Sequence, residues 1–185
     1  IDDAASYIAY LAQNYPSSLI YIAGAFGKAY TPIFSAQLLS RTAYMPLNVS
    51  ASILNYMAQQ YYLDVAAKIL NETAYLPVSI SAAILNQTAY LPVSVSAAIL
   101  NQTAYLPVSV SAAILNQTAY LPATVSGQII ANPNLSPGNA YAILANANLS
   151  ANAAQAILYN TPFGTQFMSI ITYGASNLAV TAATS

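Results

Sequence analysis

Seven asparagines in this chain stand in Asn-x-Ser/Thr triplets: Asn48, Asn71, Asn86, Asn101, Asn116, Asn134 and Asn148. The triplet is the acceptor for N-linked sugar, in which the side-chain amide takes the glycan. It is the one reactive pattern that the residue types offer. The chain has no His and no Cys, and its 185 residues include three Lys or Arg and four Asp or Glu. A nucleophile with its base, a pair of acid–base carboxylates or a thiolate metal site has nothing to be built from. No catalytic, cofactor-binding or metal-ligating residue is assigned, no cofactor is expected, and the chain is not expected to be an enzyme.

The few charges have structural readings. Asp64, Lys68 and Glu72 are spaced i, i+4, i+8, which on a helix makes a staircase of ion pairs with Asp64 also serving as a cap. Asp2 and Asp3 read as first-turn acids that complement a helix dipole, with a weak cation site as the lesser alternative. Three basic residues cannot neutralise a phosphate backbone, so nucleic acid is not an expected partner.

The elements that position the sequons are repeats. Residues 76–90 read LPVSISAAILNQTAY, and residues 91–105 and 106–120 both read LPVSVSAAILNQTAY. Such a period marks a small unit stacked on copies of itself. Numbered from its Leu, the unit has a polar residue at position 4, namely Asn48, Asp64, Ser79, Ser94, Ser109, Thr124 and Asn152, with Gly138 the exception. These types cap helix N-termini. Positions 9 and 10 are an apolar pair such as Ile84-Leu85 or Ile99-Leu100, which with position 5 forms one helix face. Position 2 is Pro46, Pro77, Pro92, Pro107 and Pro122, and a proline ends the preceding helix. Position 15 is Tyr44, Tyr75, Tyr90, Tyr105 and Tyr120, expected to pack between units with the hydroxyl reaching a backbone group.

Aligned in this way the pattern covers most of the chain. The fold expected is an all-α solenoid of about twelve short helix-turn units of 14–17 residues. The alternative is a β-solenoid with 15-residue coils, because Val-Ser-Val-Ser alternates. The Ala-, Leu- and Gln-rich units and the drifting unit length favour helix. Residues 1–185 read as a single repeat domain, with divergent units in 1–44, including a weak copy at 16–30, the array in 45–176 and a tail in 177–185. The array includes a degraded copy from Phe163. On a helix begun at Ser94, Asn101 falls roughly opposite the apolar sector, so the sequon is expected to face outward.

Composition supplies the functional expectation. Apolar residues are 57% of the chain and charged ones 4%, and no Asp, Glu, Lys or Arg occurs from Thr73 to Ser185. No apolar run reaches the ~20 residues of a membrane span. An uncharged surface promotes association, so it must be coated with sugar or buried in an assembly. A repeat array without a polar terminal cap stacks on another subunit, and a contact that does not close makes a filament. The expected partners are the chain itself, as a homopolymer, and covalent N-linked glycans. The expected location is extracellular, with a signal peptide removed.

The richness in Tyr, Asn, Ser, Thr, Val and Ala, the scarce charge, the absent Cys and the dense sequons resemble secreted, N-glycosylated surface and filament proteins of thermoacidophilic, crenarchaeal-type archaea. The resemblance is compositional and spans the whole chain. It implies a hot, acidic exterior in which few titratable groups are an advantage. The leading expectation is therefore a structural subunit of an extracellular glycosylated filament. The other expectations are a surface adhesin or cell-wall binding module, and a structural protein of an archaeal virus.

Overall fold

Proline sets where each central helix begins. In the computed structural model, which describes residues 1–161, Pro77, Pro92, Pro107 and Pro122 have φ of −55 to −56° and ψ of 143 to 146° and directly precede helices. The ring fixes φ, and this extended ψ is the backbone state of a helix N-cap. The cap is therefore position 2 of the unit, not position 4. Ser79, Ser94, Ser109 and Thr124 lie one residue inside their helices and cap nothing. Asn48, Asp64 and Asn152 are likewise second helical residues. Where position 2 is not proline it can cap with a hydroxyl: Thr31, Ser136 and Ser150 accept the N–H of Phe34, Asn139 and Ala153, each at 3.2 Å.

Eleven α-helices follow one another in the described residues, with no strand among them. They are α1 (Asp2–Asn14), α2 (Leu19–Gly24), α3 (Pro32–Leu39), α4 (Leu47–Gln59), α5 (Leu63–Asn71), α6 (Val78–Leu85), α7 (Val93–Leu100), α8 (Val108–Leu115), α9 (Ala123–Ile130), α10 (Pro137–Leu144) and α11 (Ala151–Tyr159). The all-helical expectation holds. Nine of these helices, α3 to α11, follow the repeat. The weak copy expected over residues 16–30 does not form one helix: it divides into a 3₁₀ turn, the short α2 and a π-helical stretch, Ala25–Ala29. Gly27 in that stretch lies under the Tyr62 ring, where an added Cβ would sit 2.5 Å from a ring carbon. The copy expected from Phe163 and the tail at 177–185 lie outside the described residues.

The packing is between alternate helices. α3 packs on α5, α5 on α7, α7 on α9 and α9 on α11; α2 packs on α4, α4 on α6, α6 on α8 and α8 on α10. This is a helical repeat in which two units advance the array by one helix spacing. At ~8–10 Å between packed helices, the row from α3 to α11 extends roughly 32–40 Å.

A helix with a neighbour before it, a neighbour after it and the other row behind it is buried on several sides. That explains why VSVSAAIL is apolar nearly all round. Leu91 at position 1, Ala97 at position 7 and Ile99-Leu100 at positions 9 and 10 are fully buried, as are their counterparts in the flanking copies. Each such Leu or Ile contributes about 1.5–3 kcal/mol by burial. Position 6 is equally buried but is serine: Ser35, Ser50, Ser81, Ser96, Ser111 and Ser126 are all inaccessible, and none of their hydroxyls has a hydrogen-bond partner.

The connector after each central helix is a short hydrogen-bonded turn. Gln102 donates from Nε2 to the Ala98 carbonyl at 3.5 Å, while its own carbonyl accepts the N–H of Tyr105 and of Leu106 at 2.9 Å. The turn reverses the chain and delivers Leu106 into the core. The unit ending at Gln60 lacks this segment, and there the reversal goes through Tyr61, the one non-glycine residue with positive φ (69°) among the described residues.

Candidate functional site

The sequons sit at helix ends rather than on an outward helix face. Asn86, Asn101 and Asn116 are the C-caps of α6, α7 and α8, in right-handed helical conformation and half-buried. The rotation that would place Asn101 opposite the apolar sector does not apply, because α7 ends at Leu100 and the chain turns there. Asn71, the last residue of α5, is exposed. Asn134 and Asn148 are exposed in the turns before α10 and α11. Asn48 is inside α4 and half-buried, and the hydroxyl of its triplet belongs to the inaccessible Ser50.

Identical triplets differ in what holds them. The Asn101 Oδ1 accepts the backbone N–H of Ser136 at 3.0 Å and the Nδ2 of Asn139 at 2.8 Å. The Asn139 Nδ2 also reaches the Asn101 backbone carbonyl at 3.4 Å. Asn101 thus ties the end of α7 to the start of α10, 35 residues on. Asn116 repeats the bond, its Oδ1 accepting the Ser150 N–H at 3.2 Å and tying α8 to the start of α11. Asn86 has the same local backbone, but the equivalent residue three units on is Pro122, which has no N–H. Among the described residues its side chain makes no hydrogen bond, and neither does that of Asn71, whose counterpart is Pro107. Asn134 Nδ2 donates to the Ser94 carbonyl at 3.0 Å.

Sequence reasoning finds every one of these asparagines and none of these bonds. The signal is present, as the change from Pro to Ser at position 2, but it can be read only when the three-unit offset is known.

The tyrosine column is a surface feature. Tyr44, Tyr75, Tyr90, Tyr105 and Tyr120 are 40–48% exposed, not sandwiched between units, and among the described residues no hydroxyl of the five is hydrogen-bonded. Tyr105 lies beneath Lys68, whose Nζ is 4.5 Å from the ring centroid. Lys68 also pairs with Asp64 at 3.3 Å. The expected third step to Glu72 is not made: α5 ends at Asn71, Glu72 is its C-cap, and no ion pair to Glu72 occurs among the described residues. Asp2 and Asp3 lie in the first turn of α1 as expected, and Asp2 pairs with Arg41 at 2.8 Å.

Among the described residues, no group of three or more His, Cys, Asp or Glu could hold a metal ion. No helix there is long and apolar enough to cross a membrane. Comparison with known protein families, characterised proteins and solved structures finds no match.

Proposed function

We propose that the chain is a structural subunit of an extracellular, glycosylated filament, assembled by stacking copies of itself. The observation that carries this reading is the loss of charge along the array. No charged residue occurs from Thr73 to Ser185, so α6 to α11 are uncharged over their whole surface. Neutral surfaces associate, and a repeat array with uncharged faces is suited to pack on another copy of itself. A head-to-tail contact repeats without limit unless its rotation closes.

Negative-stain microscopy and light scattering of the purified protein at rising concentration test the proposal. Fibres whose length grows with concentration are expected; monodisperse monomers at high concentration would overturn it.

The half-exposed tyrosine column favours a second reading, a surface adhesin or cell-wall binding module. Aromatic rings repeated along an array stack well on sugar rings or on apolar side chains. A binder of this kind remains monomeric at the concentrations at which a filament subunit polymerises.

A further inference from the structure

Seven sequons of one chain are not seven equal acceptors. N-glycosylation forms a bond between the asparagine Nδ2 and the anomeric carbon of a sugar carried on a lipid phosphate. The sugar–phosphate bond breaks, the lipid phosphate leaves with its electron pair, and Nδ2 gives up one of its two protons. The transfer requires an amide that can enter an acceptor cleft together with the hydroxyl two residues on. Each sequon can be judged on those two groups.

We infer that Asn71 and Asn86 are the glycan acceptors of the folded chain, and that Asn101 and Asn116 are withheld as clamps between helices. The inference rests on the glycoprotein reading proposed above and divides its sites. At Asn71 and Asn86 neither the amide nor the hydroxyl of Thr73 or Thr88 is hydrogen-bonded among the described residues, and both threonines are exposed. At Asn101 the amide oxygen already accepts two bonds, at 3.0 and 2.8 Å, and at Asn116 one at 3.2 Å. Those bonds fix the amide plane between two helix ends, and the side chain can enter a cleft only by giving them up.

The remaining three sequons fail on the hydroxyl. That of Ser50, for Asn48, is inaccessible. Those of Ser136 and Ser150, for Asn134 and Asn148, each accept a backbone N–H at 3.2 Å as helix caps.

What separates Asn86 from Asn101 lies far along the chain. Their triplets are identical, their preceding helices differ only in Ile80 for Val95, and both turns close with the threonine N–H on the asparagine carbonyl, at 2.8 and 2.9 Å. Three units on, Asn86 has Pro122 and Val125 as counterparts where Asn101 meets the N–H of Ser136 and the amide of Asn139. Asn116 is held by the Ser150 N–H alone, so there a proline at position 2 would free the asparagine three units before it.

Site-resolved glycopeptide mass spectrometry of native protein gives the first test. Occupancy at Asn71 and Asn86 is expected to exceed that at Asn101 and Asn116 several-fold, with none at Asn48. Equal occupancy at Asn86, Asn101 and Asn116 would overturn the inference while leaving the glycoprotein reading intact. Seven empty sites would overturn that reading.

The division of sites is then tested separately, with purified folded chain, an oligosaccharyltransferase and a lipid-linked glycan. Transfer is expected at Asn71 and Asn86 in the folded chain, and equally at Asn86, Asn101 and Asn116 when the chain is unfolded in advance. Equal transfer to all three in the folded chain would overturn the inference. Ser150→Pro, which installs at 150 what the chain uses at 122, removes the one bond that holds the Asn116 amide; it should raise Asn116 to the level of Asn86 and leave Asn101 unchanged. An unchanged Asn116 in a folded S150P protein would also overturn it.

Discussion

Replacing Ser96 by alanine should make this protein more stable. Ser96 lies at position 6 of its unit on α7, inaccessible and with no partner for its hydroxyl. A buried polar group left without a hydrogen bond costs about 1–3 kcal/mol. Alanine removes that cost and adds a few tenths of a kcal/mol of helix propensity, on a scale where ordinary residues span ~0.7 kcal/mol. The void left is one oxygen atom in size, so the net expected gain is about 1–2 kcal/mol. The chain tests the fit by itself, because position 6 is Ala66, Ala140 and Ala154 in α5, α10 and α11, all buried. The requirement at this position is smallness between packed helices, so Ser96→Val should cost about 1–3 kcal/mol through overpacking. Urea denaturation reads both effects as shifts of the midpoint at constant slope. In a chain of this length a gain of 1 kcal/mol raises the melting temperature by about 2–4 °C. If Ser96→Ala lowers stability, the hydroxyl has a partner after all, and the account of the serine column is wrong.

The amide clamps give a paired prediction. Asn101→Ala leaves the Ser136 N–H without its acceptor and the Asn139 amide with only the 3.4 Å bond to the Asn101 carbonyl, and should cost about 1–3 kcal/mol, whereas Asn86→Ala removes no protein hydrogen bond among the described residues and should be close to neutral; denaturation of the two variants side by side separates them. Gly127→Ala should destabilise, although alanine is favoured over glycine in a helix by about 1 kcal/mol. The new Cβ would stand 2.8 Å from the Asn160 carbonyl oxygen at the end of α11. A rise in the denaturation midpoint of Gly127→Ala would show that α11 can move away at no cost.

The helices are legible because their signals are local. Proline at position 2 and the apolar pair at positions 9 and 10 each act within one unit, and the all-helical chain follows from repeating them. The cap lies two residues before the expected one for a physical reason. Ser79, Ser94 and Ser109 are good capping types, but a proline two residues before them already sets the extended backbone state from which the helix starts. The alternate packing is not legible, because an identical repeat is compatible with one layer or two. The clamps follow from that packing, so Asn101 and Asn86 look the same in sequence. The serine column is not legible either, because serine on an apolar stretch reads as a solvated or capping residue, not as a small core residue.

The change from proline to serine at position 2 links the stability of the array to its surface. Proline-started helices α6 to α9 are held by apolar packing, with their N-caps giving no side-chain bond. Helices α10 and α11 are started by Ser136 and Ser150 and are also tied back by Asn101 and Asn116. These two helices belong to the shortened, 14-residue units. On the division of sites proposed above, the same ties draw two asparagines out of the pool of sugar acceptors. With glycans confined to Asn71 and Asn86, the coat sits at the ends of α5 and α6, and the uncharged faces of α7 to α11 stay bare. In the proposed filament, stacking uses bare neutral faces, and a sugar at Asn101 or Asn116 would obstruct both the clamp and that contact. Engineered glycosylation at Asn116 in the S150P protein should therefore shorten or abolish fibres under the conditions in which the unaltered chain is proposed to form them.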